Sequence, residues 1–264
     1  MKKIFISGAS SGIGQALAKE YAKRYTSGVT IGLLARRGES LQILAADLEK
    51  QFDTQCICYT CDVRDKVALA DAANNFTKQF GAPHIVIANA GVSSGTLTEE
   101  KEDISTFQAV MDINLMGMVH TFQPFITIMK DAHKAGEQTQ LVGVASVAGI
   151  RGLPGAGAYS ASKAATITYL ESLRVEMQQY GIQVTTIAPG YIRTPMTDIN
   201  TYPMPFLMEV EDFAHEFANA VERKKRFVII PWQMAIAAKI MRLIPDWLWD
   251  WLMKKAPHKA RIDV

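Results

Sequence analysis

Short apolar segments with the composition of β-strands alternate with longer amphipathic segments along most of this chain. The strand candidates are residues 2–7, 28–35, 55–61, 84–89, 139–145, 182–188 and 226–230. The helix candidates are residues 12–26, 38–51, 65–80, 103–133, 157–180, 206–222 and 234–244. Strands joined through helices run parallel, and right-handed crossovers place the helices on both faces of the sheet. This order therefore predicts an α/β fold with a doubly wound parallel sheet of about seven strands.

The first strand candidate leads directly into a glycine-rich turn and then into a helix. This turn reads Ser7-Gly8-Ala9-Ser10-Ser11-Gly12-Ile13-Gly14. Gly8 permits the tight turn, Gly12 lets the backbone approach a pyrophosphate, and Gly14 allows close packing of helix and strand. Free N–H groups at the start of the helix face the anion. Strand, turn and helix together predict a dinucleotide-binding (Rossmann) domain.

Candidate ligand-binding residues follow six of the predicted strands, at the edge where parallel sheets bind ligands. They are Gly8, Arg36, Asp62, Asn89, Ser146 and Pro189. After the second strand the acidic residue that would bind a ribose 2′-hydroxyl is absent, and Arg36 and Arg37 stand there instead. Arginine suits a 2′-phosphate. The sequence therefore predicts NADP(H) as the cofactor.

Length and charge favour one large domain that does not bind nucleic acid. The chain has 264 residues, 48% of them hydrophobic, and a net charge of only +2. We assign residues 1–230 to the NAD(P)-binding domain with its catalytic residues, and 231–264 to a C-terminal helical extension of the same domain. The first strand begins at Lys2, and no apolar stretch reaches the roughly 18 residues of a spanning helix. We therefore expect no signal peptide and a cytoplasmic enzyme.

Tyr159 and Lys163 stand four residues apart, so on a helix they share one face. A positive charge beside a phenol favours the phenolate and lowers its pKa toward neutral pH. Such a phenol can give or take a proton at a carbonyl or alcohol oxygen. The pair thus predicts a general acid/base at Tyr159.

Taken together, these motifs resemble those of the short-chain dehydrogenase/reductase family. The resemblance covers residues 2 to about 230 and comprises the glycine turn, Asn89-Ala90-Gly91, Asn114, Ser146, Tyr159-x3-Lys163 and Pro189-Gly190. Two positions depart from the commonest form. Ser7 stands where threonine is usual, and Ala88 precedes Asn89 where a second asparagine is usual. The resemblance implies an NADP(H)-dependent oxidoreductase that interconverts a carbonyl and a secondary alcohol.

Roles for further residues follow from this resemblance. Ser146 would hydrogen-bond the reacting oxygen, Lys163 would also hold the nicotinamide ribose, and Asn114 would support a water relay to the lysine. The implied cofactor-binding residues are Gly8, Ser10, Ser11, Gly12, Ile13, Gly14, Arg36, Arg37, Asp62, Val63, Asn89, Ala90, Gly91, Tyr159, Lys163, Pro189, Gly190, Ile192 and Thr194. Asp62 and Val63 would contact the adenine, and Ile192 and Thr194 the nicotinamide amide.

The three cysteines, Cys56, Cys58 and Cys61, crowd into one strand candidate. Cys56 and Cys58 would point to the same face, and no fourth cysteine or nearby histidine completes a tetrahedral metal site. An odd number also argues against a disulfide framework. We interpret them as small apolar filling of a buried strand and predict no metal site.

The segment from Tyr191 to Met208 is rich in methionine, proline and aromatic residues. In the family this segment forms a mobile lid over the nicotinamide, which favours an apolar small-molecule substrate. The same residues would also suit a core. Sterol, acyl, aliphatic-ketone and quinone substrates all remain open.

The C-terminal tail is the least family-like part of the sequence. Pro245 should end one helix, and Asp246 can cap the next. On this second helix one face carries Trp247, Leu248, Trp251 and Leu252, and the cations that follow are Lys254, Lys255, Lys259 and Arg261. Tryptophan beside lysine suits peripheral attachment to the inner face of a membrane, a subunit contact, or a flap over the substrate mouth.

The family also implies a homodimer or homotetramer formed through the helices near 103–133 and 157–180. Two other functions remain open on the same fold. One is a dinucleotide-sensing regulator. The other is a membrane- or protein-associated scaffold that acts through its tail.

Overall fold

Seven strands and ten α-helices alternate in this computed structural model, which describes residues 1–261. The strands are β1 (Lys2–Ser7), β2 (Val29–Ala35), β3 (Gln55–Thr60), β4 (Ile85–Ala88), β5 (Gln140–Val144), β6 (Gln183–Pro189) and β7 (Phe227–Ile230). The helices are α1 (Gly12–Tyr25), α2 (Gly38–Phe52), α3 (Lys66–Phe80), α4 (Asp103–Met111), α5 (Gly117–Lys134), α6 (Gly157–Gln178), α7 (Pro195–Asp198), α8 (Val210–Glu222), α9 (Trp232–Leu243) and α10 (Asp246–Met253). The last three residues of the predicted extension, 262–264, lie outside the described residues.

The seven strands form one sheet in the order β3-β2-β1-β4-β5-β6-β7, and every pairing is parallel. The prediction of a doubly wound parallel α/β sheet is therefore confirmed. The chain winds outward in one direction from β1 to β3 and in the other from β4 to β7. Ligands bind parallel sheets where the winding reverses, outside the carboxyl ends of the strands. In this sheet that place lies beyond the ends of β1 and β4.

Apolar side chains fill both faces of the sheet. Tyr21 and Phe217 belong to the core on the face covered by α1, α2 and α8, whereas Phe5, Phe76 and Phe122 belong to the core under α3, α5 and α6. Every residue of β2, β4 and β5 is buried. Parallel strands covered on both sides read as nearly continuous apolar runs, which is why the sequence reveals these strands clearly.

Two predicted helix boundaries were wrong. The helix expected from residue 206 begins only at Val210, because Pro203 and Pro205 disfavour helical backbone before them and Phe206 has a left-handed φ of 57°. The helix expected over 103–133 is divided by one π-helical turn, Asp112–Met116. This turn carries Asn114, and π-turns within longer helices often occur at functional sites.

The tail forms two helices, as its pattern predicts, but the residue that caps the second helix is not the predicted one. Pro245 occupies the N-cap of α10, and Asp246 is the first helical residue without a capping hydrogen bond. The Asp246 carboxylate instead accepts a 2.8 Å hydrogen bond from the Arg151 guanidinium. The same guanidinium donates to the carbonyls of Met241 and Ile244. Arg151 therefore fastens the junction of α9 and α10 to the loop before α6.

Within residues 1–261, no helix combines the length and the apolar character needed to span a membrane.

Candidate active site

The glycine turn after β1 has the geometry that its sequence predicts. Gly8 adopts a φ of +72°, and a Cβ there would lie 2.7 Å from the Cα of Ala90. Gly12 has a φ of +54°, which other residues rarely adopt. A Cβ on Gly14 would lie 2.1 Å from the Gly8 carbonyl oxygen. Glycine at these positions lets α1 begin directly against the end of β1.

Hydrogen bonds tie this turn to the end of β4. The Asn89 side-chain amide donates to the carbonyls of Ser7 and Gly8, at 3.2 and 3.1 Å. The Ser7 hydroxyl in turn accepts from the backbone N–H groups of Asn89 and Ala90. Serine in place of the commoner threonine therefore still joins the two central strands.

A crevice of about 430 Å³ opens along the carboxyl ends of the strands. It brings together every predicted site residue except Gly14 and Asn114, which lie behind its wall. The predicted residues that line it are Gly8, Ser10, Ser11, Gly12, Ile13, Arg36, Arg37, Asp62, Val63, Asn89, Ala90, Gly91, Ser146, Tyr159, Lys163, Pro189, Gly190, Ile192 and Thr194.

One end of the crevice is basic. The Arg37 guanidinium donates hydrogen bonds to the hydroxyls of Ser10, at 3.1 Å, and Ser11, at 2.6 Å. Arg36 is exposed beside it and faces Asp62, whose pKa it helps to lower. Two guanidinium groups and two hydroxyls beside the free N–H groups of α1 are a donor set for a phosphate.

Asp62 is held by a residue that sequence reasoning missed. Arg64 forms a bidentate ion pair with the Asp62 carboxylate, with a shortest N–O distance of 2.7 Å. Its hydrogen bonds are the largest cause of the lowered pKa of Asp62. Val63 is fixed next to it, because its carbonyl lies 3.0 Å from Nδ1 of His120. The pair predicted to contact an adenine is thus rigidly placed.

At the other end of the crevice, Tyr159 and Ser146 meet. Tyr159 lies in the first turn of α6, and Ser146 follows β5. The Ser146 hydroxyl hydrogen-bonds with the phenol and also accepts a 3.1 Å bond from the backbone N–H of Ala148. The Ala148 bond fixes the serine rotamer, so that its hydroxyl and the phenol face the same volume.

Lys163 is buried beneath this pair. Its Nζ donates a 2.8 Å hydrogen bond to the Val144 carbonyl and lies 5.9 Å from the centre of the Tyr159 ring. Burial lowers the pKa of Lys163 to about 8. Lys163 lines the crevice beside Gly91, where a Cβ would lie 3.5 Å from its Nζ.

The prediction that Lys163 brings the pKa of Tyr159 down toward neutral pH was wrong. Burial raises the pKa of Tyr159, and the hydrogen bond with Ser146 is what opposes that rise. Removal of the phenolate from water is the larger of these two effects. The phenol is therefore held in its protonated form.

Asn114 connects the lysine to the loop after β4. Its side-chain oxygen accepts from the Val92 N–H at 2.8 Å, and its nitrogen donates to the Val92 carbonyl and to the Ser162 hydroxyl, both at 2.9 Å. A Cβ on Gly91 would lie 3.2 Å from this oxygen and close to Lys163. Asn114 is fully buried and shapes the wall behind the two catalytic candidates.

The segment after β6 closes the third side of the crevice. Ile192 is buried, and its carbonyl accepts a 2.7 Å hydrogen bond from the Thr197 hydroxyl. The same hydroxyl accepts from the Thr194 N–H, which places Thr194 at the start of α7. Gly190 has no space for a side chain, because a Cβ would lie 2.6 Å from Met234. Backbone and Thr194 hydroxyl groups thus line the position expected for an amide.

The aromatic part of the lid segment lies beside Tyr159. The rings of Tyr191 and Tyr202 meet edge to face, with centroids 6.5 Å apart. Both are partly buried, and burial raises the pKa of each. The two rings pack on each other close to Tyr159 and next to the crevice-lining residues Gly190 and Ile192.

Sequence reasoning missed part of this lining, mainly residues without chemically distinctive side chains. They are Ala35, Cys61, Val92, Ile113, Val144 and Ala145, whereas the lining residues Pro195, Met196 and Thr197 belong to the segment predicted as a lid. Lys259 was predicted only as one of the tail cations, and its approach to Tyr159 from the far end of the chain was missed. No local pattern could reveal that contact, because it depends on the path of the whole tail.

The expectation that the cysteines fill a buried strand was wrong in part, because Cys56 and Cys58 lie half-buried on the edge strand β3 and the buried Cys61 follows it. Cys56 and Cys58 contact the core on one face of the sheet, and Cys61 belongs to the core on the other. Burial raises the pKa of Cys56 to about 12 and that of Cys61 to about 11, which keeps both thiols protonated. No cluster of three or more potential metal ligands occurs in the described part of the chain.

The fold and the crevice define a class of NAD(P)-dependent oxidoreductases, and comparisons with known proteins agree. The sequence profile of the short chain dehydrogenase family matches residues 2–202. An uncharacterized oxidoreductase of Myxococcus xanthus is 34% identical over 245 residues, which cover 93% of each protein. The 11-beta-hydroxysteroid dehydrogenase-like 2 protein of Arabidopsis thaliana is 31% identical over 259 residues, covering 95% of this chain and 81% of the relative.

A solved structure shows the same fold. A short-chain dehydrogenase from Sphingobium yanoikuyae in complex with NADPH superposes with a TM-score of 0.78, at 23% identity, over 100% of this chain and 99% of that one. The chain therefore belongs to the short-chain dehydrogenase/reductase family and is an oxidoreductase.

Proposed function

We propose that this protein is an NADP(H)-dependent oxidoreductase that interconverts a carbonyl and a secondary alcohol on a largely apolar small molecule. The observation that carries the proposal is the arrangement of Tyr159, Ser146 and Lys163 at one end of a crevice whose other end is basic. A hydrogen-bond donor for a reacting oxygen and a donor set for a phosphate thus share one cavity. The backbone at Gly8 and Gly12 leaves the space that a pyrophosphate needs.

Each end of the crevice would hold a different part of the cofactor. Arg36, Arg37, Ser10 and Ser11 would bind the 2′-phosphate and neighbouring phosphate groups, while Asp62 and Val63 would contact the adenine. Asn89, Ala90 and Gly91 would support the adenosine ribose and the central strand. At the nicotinamide end, the amide would be surrounded by Pro189, Gly190, Ile192 and Thr194. Bound NADPH supplies the hydride, so the protein has to bind, orient and move a proton.

Tyr159 would act as the general acid/base. Its raised pKa keeps the phenol protonated, so in the reductive direction it can donate to the carbonyl oxygen. Ser146 would hydrogen-bond that same oxygen and stabilise the charge that develops on it. Lys163 would hold the ribose and, with Asn114, restore the proton through buried polar groups. Tyr191 and Tyr202 would exclude water from the substrate side.

A conservative substitution tests the acid. Tyr159→Phe should lower reductase turnover by about a hundredfold or more, because general acid catalysis commonly contributes 10²–10⁴, whereas NADPH should bind with little change. Tyr169→Phe, on the same helix α6 and away from the crevice, serves as the matched control. Turnover would be read from the absorbance of reduced nicotinamide over a library of ketones and alcohols. Full activity of Tyr159→Phe would rule out the proposed role.

Cofactor preference has its own test. Binding titrations should show higher affinity for NADPH than for NADH, and both Arg36→Ala and Arg37→Ala should narrow the difference. The exposed Arg223 offers a control, since Arg223→Ala removes a charge far from the crevice. Equal affinity of the unaltered protein for the two cofactors would refute the assignment of the arginines.

We further propose that the protein is cytoplasmic and attaches to the inner face of a membrane through its tail. Helices α9 and α10 each expose large apolar side chains. Together these side chains are here termed the tail surface, which consists of Trp232, Ile236, Ile240, Leu243, Trp247, Trp251 and Leu252. Lys239, Arg242, Lys254 and Lys255 lie on the same two helices or just after them. Tryptophan bordered by cations suits an interface with anionic lipid.

Assembly into a homodimer or homotetramer is also proposed. Helix α4 exposes Ile104 and Phe107, the π-turn before α5 exposes Met116, and α6 exposes Val175. Apolar residues on long adjacent helices suit an interface with a second copy. Light scattering in solution should give two or four times the mass of one chain, and a monomeric mass at micromolar concentration would contradict this.

A further inference from the structure

After α10 the chain crosses to the substrate side of the crevice. The backbone N–H of Gly95 donates a 2.9 Å hydrogen bond to the Ala260 carbonyl. Gly95 and Gly155 have no room for a Cβ, because the backbone of Lys259 and the ring of His258 occupy those positions. Two loops that border the site are thus fitted to this segment, here termed the tail strap, residues 256–261.

Ion pairs hold the end of the strap. The Arg261 guanidinium lies 3.2 Å from the Asp103 carboxylate and 3.4 Å from that of Glu100. Asp103 is buried and also accepts a 2.7 Å hydrogen bond from the backbone N–H of Leu97. An anchored carboxylate of this kind fixes the strap against α4, so the residues before Arg261 have a defined path.

That path places a cation over the catalytic candidate. The Nζ of Lys259 lies 5.8 Å from the centre of the Tyr159 ring, about as far as the Nζ of Lys163 at 5.9 Å. Lys259 is partly buried, and burial lowers its pKa. Among residues 1–261 its ammonium has no carboxylate partner and no hydrogen-bond acceptor. A cation withdrawn from water without a partner is costly unless something else pairs with it.

We propose that Lys259 is a specificity-determining residue that binds a carboxylate carried by the substrate. The inference rests on the proposed reductase function and narrows its substrate to oxo acids with an apolar chain. The chain would lie against Tyr191 and Tyr202, the carbonyl would face Tyr159 and Ser146, and the carboxylate would face Lys259. Pairing with a carboxylate supplies the missing partner through a charge-assisted hydrogen bond.

A matched pair of probes tests this in the full-length protein saturated with NADP⁺. Calorimetric titration with 6-oxoheptanoate and with its methyl ester compares one carbonyl with and without the negative charge. The unaltered protein should bind the acid about tenfold or more tightly than the ester. Lys259→Gln should reduce this ratio to near one, and Lys259→Arg should retain most of it. Lys255→Gln, which removes an exposed charge from the same tail, should leave the ratio unchanged.

The same samples separate this inference from the function on which it rests. Turnover of the neutral ester with NADPH reports the reductase, and the acid-to-ester ratio in binding reports Lys259. Binding preference without turnover would refute the reductase and support the carboxylate site. If the acid-to-ester affinity ratio were the same in the unaltered protein and in Lys259→Gln, while the ester was still turned over, the inference would be overturned. Equal loss of turnover for acid and ester in Lys259→Gln would likewise overturn it, because the lysine would then act on Tyr159 alone.

Discussion

At the scale of single residues, two lysines near Tyr159 have their ammonium groups withdrawn from water in different ways. Lys163 lies under the crevice and donates to the Val144 carbonyl, whereas Lys259 arrives from the tail and has no such acceptor in the described structure. Burial lowers the pKa of each. A buried cation lowers the free energy of unfolding, and functional sites commonly carry such a cost.

Replacement of Lys163 should therefore stabilise the protein while it abolishes turnover. The pKa of Lys163 falls from 10.5 to about 8 in the folded state, which corresponds to about 3 kcal/mol against folding at pH 7. Lys163→Met removes this cost but leaves the Val144 carbonyl without its donor, so we expect a net gain of about 1–3 kcal/mol.

The sign of the pH dependence provides the check. Between pH 8 and 10.5 the unfolded chain retains a proton that folded Lys163 has released, so this lysine makes the free energy of unfolding rise with pH. The advantage of Lys163→Met should then shrink steadily across that window. Denaturant unfolding of both proteins at a series of pH values measures the difference. A constant advantage from pH 7 to 10.5 would contradict a lowered pKa for Lys163.

At the scale of elements, the strands were predictable because burial on both faces makes them continuous apolar runs, as in Val29–Ala35. The glycine turn and Tyr159-x3-Lys163 were predictable because each depends on short spacing along one element. The start of α8 and the π-turn at Asn114 were not, since tertiary contacts and a left-handed Phe206 decide them. Likewise, the pKa of Tyr159 depends on burial, which residue spacing does not encode.

The junction of β1 and α1 makes a strong prediction at this scale. Gly14→Ala would push a methyl group against the Gly8 carbonyl and the Asn89 side chain, so it should destabilise the protein by about 2 kcal/mol or more and weaken NADPH binding. Gly157→Ala is the control, because Gly157 also begins a helix but has open space around it. Thermal unfolding should show Gly157→Ala unchanged or slightly stabilised. If Gly14→Ala and Gly157→Ala lost similar stability, the loss would come from placing alanine near the start of a helix and not from the contact with Gly8.

At the scale of the whole molecule, the tail has two parts, the helices α9 and α10 and the tail strap that follows them. Arg151 fastens the α9–α10 junction beside α6, and beyond α10 the tail strap returns to the substrate side. The tail pattern alone left a membrane anchor, a subunit contact and a flap as alternatives. The structure assigns different residues to different roles, with Trp247 and Trp251 exposed while Trp249 stacks on Arg151 at 4.7 Å.

This division makes membrane attachment testable without disturbing the strap. Trp247→Ser with Trp251→Ser should reduce flotation with vesicles of phosphatidylcholine and phosphatidylserine severalfold, because both rings are about 70% exposed on the tail surface. Ile43→Ser with Val67→Ser removes exposed apolar groups from α2 and α3 and should leave flotation unchanged. Higher salt should weaken binding, since Lys254 and Lys255 face anionic headgroups in this arrangement. If the unaltered protein fails to float, or floats equally after loss of both tryptophans, the tail surface does not bind lipid, and a second protein chain becomes its better occupant.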